Sequence, residues 1–472
     1  MKSGASHSLH QMKPRYWIQT YGCQMNVHDS ERMAGMLEGI GFDATPNAED
    51  ADVILLNTCA VRERPEQKLY SDLGRLRTLK ANNPDLVIGV AGCMAQREAD
   101  SIRRRVPEVD ILLGPRNLHH LPRLVKSAKT KQGAYDGLSL DADPTPVTPV
   151  KRSSATSAWV DVIFGCNFKC TYCAVPSARG REMSRRPSEV LDEIRQLSDL
   201  GYREITLLGQ TVNAYGHDLG RLDDGQRLDF VWLLEQINAI NSALRVRFTS
   251  PHPMYFSEAL IEAIADLPCV CEHLHMPLQS GDDDCLRRMK RTYSVERYRG
   301  IVQRVREKMP DVTLTTDAIV GFCGETEREF QNTLDFFEEM RFDQAFMFAY
   351  SPRHTTEAFD WPDDVPARDK KERLNRLINR QADISREINR NLVGRTFEVL
   401  VEGTSDKDST KMAGRTRGNK LMIFPGTSYD YPVGTLVEVR AKEGFLWGFT
   451  GEAVRTLFVA ERPRVLMELS MV

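Results

Sequence analysis

The segment Trp159-Val-Asp-Val-Ile-Phe-Gly-Cys-Asn-Phe-Lys-Cys-Thr-Tyr-Cys173 joins an apolar run to three closely spaced cysteines. The run is typical of a buried strand, and Cys166, Cys170 and Cys173 follow it in one short loop with the spacing C-x3-C-x2-C. Thiolates are the ligands of iron-sulfur clusters, and three of them leave one iron of a four-iron cluster without a protein ligand. Because an open metal position marks a catalytic site, the loop predicts a catalytic cluster. A zinc knuckle or a group of buried thiols is the alternative, although the spacing is unusual for zinc.

An alternation of strands and helices begins at this segment. Six strands are predicted at 159–164, 204–208, 245–249, 270–276, 313–320 and 344–350. Helices are predicted between them at 188–200, 230–241, 257–266, 295–308 and 327–340. Six β/α units in a row predict a partial (β/α)6 barrel spanning 153–388, and such barrels place their active sites at the carboxyl ends of their strands, where the cysteine loop lies.

A second α/β pattern precedes the barrel and predicts a flavodoxin-like, doubly wound domain at 14–129. Cys23, Cys59 and Cys93 each close one of its predicted strands. Because the carboxyl ends of parallel strands converge on the crevice where such folds bind ligands, the three thiols could share a second cluster. Core packing of the thiols is the alternative. The Pro- and Gly-containing segment 130–152 is predicted to be an interdomain linker.

Short β-type runs follow the barrel, at 397–401, 421–424, 436–440 and 445–449. They predict a small all-β, OB-like barrel at 391–456, followed by a tail at 457–472. The segment 411–420 is predicted to be a loop between its strands, and it contains four basic residues and no acid. Loops of such barrels bind the nucleic-acid backbone, so we expect phosphate contacts from this loop, unless it is a solvated turn. The expected contacts are Lys411, Arg415, Arg417 and Lys420.

Composition excludes several classes of protein. Of 472 residues, 41% are hydrophobic and 27% are charged, which is typical of a folded globular chain. The net charge is only −3, so contact with nucleic acid must depend on local patches. No apolar run is long enough to span a membrane and the N-terminal segment lacks a signal peptide, so the sequence predicts a cytoplasmic protein. Ten cysteines in so long a chain do not indicate a disulfide framework.

The cysteine loop resembles the signature of the radical S-adenosylmethionine (SAM) superfamily. The motifs at 19–26, 57–63 and 92–96 resemble the N-terminal domain of the methylthiotransferases, and those at 205–215, 276–281 and 350–353 resemble their MiaB-type tRNA branch. The basic segment 411–420 resembles a TRAM domain, the RNA-binding module of this family. The similarity runs from about residue 15 to residue 453 and departs at Thr211 and Cys323, where the family commonly has asparagine and proline.

The resemblance implies two 4Fe-4S clusters and SAM as both methyl donor and radical source. One SAM methylates a sulfur associated with the second cluster, and another yields the 5'-deoxyadenosyl radical that activates an unreactive aromatic C–H bond. The implied product carries a methylthio group at C2 of an adenosine already prenylated on N6, at position 37 beside the tRNA anticodon.

The resemblance and the predicted strand ends also indicate which residues contact SAM and tRNA and which partner proteins are expected. Tyr172 is expected to contact the SAM adenine. Gln210, Gln279 and Asp317, near predicted strand ends, are expected to contact SAM polar groups. Arg179 and Arg181 are expected to hold the anticodon arm of the tRNA. Expected partners are an electron donor such as a flavodoxin or ferredoxin and iron-sulfur or sulfur donor proteins, and the chain is expected to be a monomer.

Two alternatives remain at this point. A sister methylthiotransferase would modify threonylcarbamoyl-adenosine in tRNA or an aspartate of a ribosomal protein. A non-catalytic iron-sulfur protein would bind RNA or carry electrons, but carriers usually supply four cysteines to each cluster.

Overall fold

The structure is a computed structural model that describes residues 13–59, 63–130, 135–144, 148–221 and 225–460. Its residues group into two units. The first contains the described chain up to Ser153 together with Ala174–Gly180, and the second contains Ser154–Cys173 and the described chain from Arg181 onward. None of the helices in these described ranges is both long and apolar enough to cross a membrane.

A parallel sheet of six strands forms the centre of the first unit. Its strands are β1 (Arg15–Tyr21), β2 (Asp43–Ala44), β3 (Val53–Thr58), β4 (Val87–Ala91), β5 (Ile111–Leu113) and β6 (Tyr135–Gly137). Its helices are α1 (Gln24–Gly39), α2 (Glu63–Asn82), α3 (Cys93–Arg97), α4 (Ala99–Arg105), α5 (Leu121–Lys129) and α6 (Val175–Arg179). The strand order β2-β1-β3-β4-β5-β6 is flavodoxin-like with one strand added at the edge, which confirms the predicted doubly wound fold.

Helices cover both faces of this sheet. Alternate residues of β3 enter different cores, with Ile54 and Leu56 in one and Val53 and Leu55 in the other. Burial on both faces explains why the sequence of β3 reads as a continuous apolar run. The edge strands β2 and β6 were not predicted because they are only two and three residues long. Strand β6 lies inside the segment predicted to be a linker and pairs with β5.

The second unit begins with a partial barrel of parallel strands. Its six strands are β7 (Ser157–Asp161), β10 (Glu204–Leu208), β11 (Arg245–Phe248), β12 (His273–His275), β13 (Thr313–Val320) and β14 (Gln344–Ala349), with a short hairpin of β8 (Ile163–Phe164) and β9 (Met183–Ser184) beside them. Its helices are α7 (Pro187–Asp199), α8 (Phe230–Ile240), α9 (Glu258–Asp266), α10 (Asp283–Arg288), α11 (Val295–Lys308), α12 (Glu327–Met340) and α13 (Ala367–Asn391). Each predicted barrel strand is confirmed in type and approximate position.

The barrel strands form two three-stranded sheets, ordered β11-β10-β7 and β12-β13-β14. A parallel bridge between Val246 and Val270 joins them. The predicted first strand is divided, because the chain leaves the sheet after Asp161 and residues 163–164 pair with β9 instead. The cysteine loop therefore follows the hairpin strand β8 rather than the barrel strand itself.

A small closed barrel ends the described chain. Its strands are β15 (Thr396–Ser405), β16 (Asp408–Thr416), β17 (Leu421–Pro425), β18 (Leu436–Phe445) and β19 (Gly448–Phe458), in the closed order β15-β16-β17-β19-β18. The prediction of a loop at 411–420 was wrong for most of the segment, because β16 occupies its first half. Charged and polar residues alternate there with small or apolar ones such as Met412 and Gly414, which is the pattern of a strand with one face in solvent.

Candidate functional site

Three cysteines of the second unit are held on one anchored loop. Cys166, Cys170 and Cys173 lie between β8 and α6, and a turn in which the Cys173 N–H donates to the Cys170 carbonyl at 3.0 Å bends the loop. The fully buried Thr171 fixes it, because its hydroxyl donates to the carbonyl of Arg288 at 2.9 Å. The loop thus presents its three sulfurs from a defined backbone.

Polar groups lie against two of these sulfurs. The Arg291 guanidinium donates to Cys170 Sγ at 3.3 Å, and Thr211 Oγ1 lies 3.4 Å from Cys166 Sγ. Burial raises the pKa of Cys166, and its contact with Thr211 acts in the opposite direction. A cation beside the loop favours the thiolate form that binds metal. Arg291 is 121 residues from Cys170 in the chain, and no sequence signal connected the two.

The spacing of the thiols does not suit a zinc ion. Three sulfurs bound tetrahedrally to one zinc at about 2.3 Å would lie roughly 3.8 Å from one another. Within the described ranges, no three cysteine sulfurs all lie within 4.8 Å of one another. The wider spacing and the open side of the loop fit a larger group with three protein ligands, such as a 4Fe-4S cluster.

Gln210 follows β10 and has a buried side chain whose amide nitrogen and oxygen both lack a partner. Buried amides are almost always hydrogen-bonded, so this orphan amide indicates that a polar ligand belongs here. Thr211, the neighbour of Gln210, contacts Cys166. Gln210 is therefore next in the chain to a residue that contacts the cysteine loop, and its role as a SAM contact stays a prediction.

The other three predicted SAM residues have different surroundings. Tyr172 packs edge-on against Phe322, with ring centres 6.3 Å apart, and burial raises its pKa well above the ordinary value. Gln279 has a φ of 72° and accepts a backbone hydrogen bond from Ile319 at 2.9 Å. A positive φ in a residue with a side chain costs about 1 kcal/mol or more, which is common at ligand sites. Asp317 Oδ2 lies 3.4 Å from His275 Nε2, so this pair occupies part of the carboxylate.

An aromatic group missed by the sequence analysis lies on the cysteine loop. Phe168 stacks on His252 with ring centres 3.9 Å apart and planes 12° from parallel. His252 Nδ1 accepts from the Met254 N–H at 3.2 Å, while Nε2 is buried without a partner. Burial lowers the pKa of His252 to about 2, so its ring is neutral and Nε2 carries the proton. This unused donor is a second group that could meet a ligand near the loop.

One face of β14 carries two aromatic residues, the exposed Phe346 and the half-buried Phe348. Ala345 and Met347 pack in the core with the α13 residue Leu377, so the alternating Phe346 and Phe348 point to the opposite, inner face. Phe346 is 42% exposed and contacts His275 edge-on at 5.7 Å. Phe346 therefore offers apolar surface on β14, the edge strand of the sheet β12-β13-β14.

The three cysteines of the first unit occupy the ends of adjacent parallel strands, as predicted. Cys23 follows β1 and caps α1, Cys59 follows β3, and Cys93 follows β4 and begins α3. Two glycines allow the close approach. A Cβ on Gly22 would lie 2.7 Å from Cys59 Cβ, and a Cβ on Gly92, whose φ is +90°, would lie 2.5 Å from Asn57 Oδ1.

Two buried asparagines brace this cysteine set. Asn26 Nδ2 donates to Asn57 Oδ1 at 3.0 Å, and Asn57 Nδ2 donates to the Asn26 carbonyl at 2.7 Å. Asn26 Oδ1 also accepts from Cys23 Sγ at 3.4 Å. These hydrogen bonds join the start of α1 to the end of β3. Both asparagines therefore help to position the thiols of Cys23 and Cys59, which lie beside them.

The electrostatics of this set favour at least one thiolate. A hydrogen bond with Cys59 and the charge of Arg179 lower the pKa of Cys23 to about 6, although burial opposes them. Burial raises the pKa of Cys93, and Arg179 acts against that rise. The lowered pKa of Cys23 is typical of a reactive or metal-binding cysteine, whereas the raised pKa of Cys93 is that of a buried thiol.

Arg179 does not have the surroundings expected of a tRNA contact. Its side chain is buried, and Nη2 lies 2.8 Å from Asp29 Oδ2. Burial alone would lower the pKa of Arg179, but Asp29 and the thiols of Cys93 and Cys23 raise it well above the ordinary value. A phosphate cannot reach a guanidinium held in this way, so the interpretation of Arg179 as a tRNA contact does not fit its position. Arg181, two residues later, is exposed.

The four basic residues of 411–420 divide into two pairs. Lys411 and Arg415 lie on β16 and are about two-fifths exposed. Their carboxylate partners, Asp408 at 3.0 Å and Glu402 at 3.6 Å, are exposed too, and Arg415 also donates to the carbonyl of Asn419 at 3.2 Å. They remain accessible to a polyanion.

The other two basic residues are used within the fold. Arg417 makes a 2.9 Å ion pair with Glu272 of the barrel, and Lys420 makes a 2.6 Å ion pair with Asp343 at the start of β14. Lys420 is 9% exposed, so its ammonium does not face solvent. Both residues attach the small barrel to the partial barrel and do not fit the predicted role in phosphate binding.

Models of three protein families match the chain. Residues 15–114 match the uncharacterized protein family UPF0004, residues 160–337 match the radical SAM superfamily, and residues 390–453 match the TRAM domain. The three matches follow the sheet, the partial barrel and the closed barrel in order.

Curated proteins match almost the whole chain. A protein of Thermoanaerobacter pseudethanolicus, named tRNA-2-methylthio-N(6)-dimethylallyladenosine synthase, is 46% identical over 94% of this chain and 93% of its own. A protein of the same name from Carboxydothermus hydrogenoformans is 46% identical over 93% of this chain and 99% of its own. Among solved structures, the radical SAM methyltransferase TsrM of Kitasatospora setae is similar with a TM-score of 0.53 and 14% identity, covering 74% of this chain and 77% of its own. That structural likeness concerns the fold alone.

Proposed function

The chain belongs to the family of the tRNA-2-methylthio-N(6)-dimethylallyladenosine synthases, and from this premise we propose how its two cysteine sets carry out the reaction. It is a radical SAM methylthiotransferase that acts on tRNA. The substrate is an adenosine prenylated on N6, at position 37 beside the anticodon, and the product bears a methylthio group at C2. The observation that carries the proposal is the presence of two separate sets of three thiols, one on each unit of the chain.

Cys166, Cys170 and Cys173 hold the 4Fe-4S cluster that works with SAM. When bound, these two cofactors supply one-electron chemistry and a carbon radical able to take a hydrogen atom from an aromatic ring. Arg291 donates a hydrogen bond to Cys170, and Thr171 fixes the loop that carries the three thiols. The unpaired amide of Gln210 binds a polar group of SAM. Tyr172 and Gln279 line the pocket that holds SAM, and Asp317, paired with His275, lies in the same pocket.

Cys23, Cys59 and Cys93 hold a second 4Fe-4S cluster in the first unit. Three ligands again leave one iron position free, which suits a site where sulfur is kept until it is transferred. The lowered pKa of Cys23 and the convergence of three strand ends support this role. The buried asparagines Asn26 and Asn57 keep the loops apart by a fixed distance whether or not the site is filled.

The inner wall formed by Phe346 and Phe348 receives the dimethylallyl group of the substrate. Each buried methylene stabilises a complex by about 0.8 kcal/mol, so an apolar wall gains binding energy from a prenyl chain. The polar threonylcarbamoyl group of the sister substrate would gain nothing there and would leave its amide groups without partners. The wall therefore favours the prenylated substrate.

Direct competition between two tRNAs tests the reaction and its substrate. Holoenzyme with SAM and a one-electron reductant is expected to methylthiolate tRNA carrying N6-dimethylallyladenosine and to leave threonylcarbamoyl-adenosine tRNA unchanged, as read by nucleoside mass spectrometry. Phe346→Asp should lower kcat/KM for the prenylated tRNA about tenfold, which corresponds to about 1.4 kcal/mol of lost binding. Leu200→Asp, which alters an exposed residue at the end of α7, is the control. Modification of the threonylcarbamoyl substrate alone would contradict the proposal.

The closed barrel contributes tRNA contacts through Lys411 and Arg415. Lys411→Gln combined with Arg415→Gln is expected to weaken tRNA binding and to reduce the slope of log Kd against log salt by about 2, because each phosphate contact releases counterions. The measurement is a filter-binding or fluorescence titration at several salt concentrations.

Lys420→Met is the matched control for that experiment. It removes one positive charge instead of two, and because it leaves Asp343 without its ion-pair partner it should destabilise the fold by about 3 kcal/mol. We expect its salt slope to equal that of the unaltered protein. If Lys420→Met reduced the slope and the double variant did not, the assignment of the tRNA contacts would be reversed.

The chain also needs partners for a full catalytic cycle. A one-electron carrier such as a flavodoxin or ferredoxin would reduce the cluster, an iron-sulfur or sulfur donor protein would replenish the sulfur, and the chain would act as a monomer on the anticodon arm. Multiple turnover that depends on adding both proteins, together with a monomeric mass by light scattering, is the expected result. The domain limits 14–129, 153–388 and 391–456 belong to the same proposal.

A further inference from the structure

A buried arginine lies among the cysteines of the first unit, although it belongs to the short segment that follows Cys173. This segment, Ala174–Gly180, groups with the first unit and contains α6. Ala178 packs in the same apolar core as Cys93. The Arg116 side chain donates to the carbonyl of Arg179 at 3.0 Å, so both sides of the segment are fixed.

The segment presents one charged side chain to the cysteine set. Arg179 pairs with Asp29 of α1 at 2.8 Å, and both side chains are almost completely buried, with exposures of 6% and 2%. Gly180 allows this path, because a Cβ at that position would lie 2.8 Å from Arg116 Nη1 and its φ is +72°. The backbone is thus shaped to place a guanidinium here.

Such a pair needs an explanation beyond stability. Replacing a buried ion pair by apolar residues is often neutral or stabilising, so burial of Arg179 with Asp29 is weak support for a purely structural role. A cluster held by three thiolates would add negative charge to the same buried space, where interactions between charges are strong. Asp29, the partner of Arg179, lies on the helix that Cys23 caps, and Ala178 shares a core with Cys93. The charge of Arg179 accordingly acts on the pKa of both Cys23 and Cys93.

We propose that Arg179 is a positioning residue for the second cluster: its charge stabilises the reduced, more negative form of that cluster, and Asp29 both orients the guanidinium and moderates its effect. The inference rests on the proposed function, since it requires that Cys23, Cys59 and Cys93 hold a cluster. The segment that links the SAM cysteine loop to the next strand therefore sets the redox properties of the other site.

The test uses the full chain with the SAM cluster removed by Cys166→Ala, Cys170→Ala and Cys173→Ala, so that only the second cluster is present. Its reduction is followed by a potentiometric titration monitored by electron paramagnetic resonance. Arg179→Met should lower the equilibrium constant for one-electron reduction about tenfold, which is 59 mV. Arg179→Lys, which keeps the charge, should restore most of the loss.

Two further variants separate an electrostatic role from a structural one. Asp29→Asn removes the opposing charge and should shift the reduction equilibrium in the opposite direction to Arg179→Met, whereas loss of packing would move both variants the same way. Arg104→Met removes an exposed positive charge of the same unit and should leave the equilibrium unchanged.

The outcomes distinguish this inference from the proposed function. If the background variant contains no iron-sulfur cluster, the assignment of Cys23, Cys59 and Cys93 fails. If the cluster is present but Arg179→Met and Asp29→Asn leave its reduction equilibrium where it was, or shift it in the same direction, the role of Arg179 is refuted while the cluster assignment stands. If Arg179→Met does not fold, Arg179→Lys and Asp29→Asn still give the sign of the effect.

Discussion

Alanine at Cys166, Cys170 and Cys173 is expected to abolish the formation of 5'-deoxyadenosine from SAM. The three sulfurs are the proposed ligands of the cluster that binds SAM, and a cluster cannot be held where all of its protein ligands are missing. Methylthiolation of tRNA should be lost together with SAM cleavage. The measurement is liquid chromatography of the reaction products under reducing, anaerobic conditions, with tRNA present and absent.

A control for general effects of cysteine removal is available in the same unit. Cys269 and Cys271 are buried in the fold, and no cluster role is assigned to them. Cys269→Ala with Cys271→Ala should cost about 1 kcal/mol of stability each and preserve SAM cleavage. Continued production of 5'-deoxyadenosine by the first variant would show that the SAM cluster has other ligands.

Alanine at Cys23, Cys59 and Cys93 is expected to separate the two halves of the reaction. The variant should keep roughly half of the iron of the reconstituted protein, because one of two four-iron clusters remains. It should still cleave SAM, since Cys166, Cys170 and Cys173 are intact. It should transfer no methylthio group, because the site that holds the sulfur has been removed.

Three readouts on one preparation check this result: iron content, 5'-deoxyadenosine and methylthiolated nucleoside. Asn26→Asp is the matched positional variant, because it keeps all three sulfurs and disturbs only the pair that braces them. It should lower methylthiolation and retain part of the second cluster. Full iron content in the triple alanine variant would mean that these thiols belong to the core.

The six candidate ligands could be found from the sequence because the signal that reveals them is local. Cys166, Cys170 and Cys173 share one loop, and each of the other three follows a segment predicted to be a strand. The spacing of apolar residues that distinguishes a strand from a helix is also a local property of the sequence. The order of the parallel sheet, the partial barrel and the closed barrel was therefore predicted correctly. The predictions failed where elements are short, as for β2 and β6, or where small residues masked a strand, as for β16.

The partners of charged residues, in contrast, were decided by the tertiary structure. Arg179 and Arg181 look alike in the sequence, yet one is buried against Asp29, 150 residues away, and the other is exposed. Arg415 and Arg417 also look alike in the sequence, yet their partners differ. Arg415 pairs with Glu402 of the closed barrel, whereas Arg417 pairs with Glu272 of the partial barrel.

The sequence by itself determined which cysteines are candidates to bind iron and which segments form strands and helices, since both depend on covalent spacing over a few residues. Only the tertiary structure decided which cations remain for RNA, which cation lies beside the thiols, and which aromatic residues line the inner wall. The physical reason is that the energy of a charge or an apolar surface depends on its neighbours, and Arg179, Lys420 and Phe346 each have neighbours from distant parts of the chain.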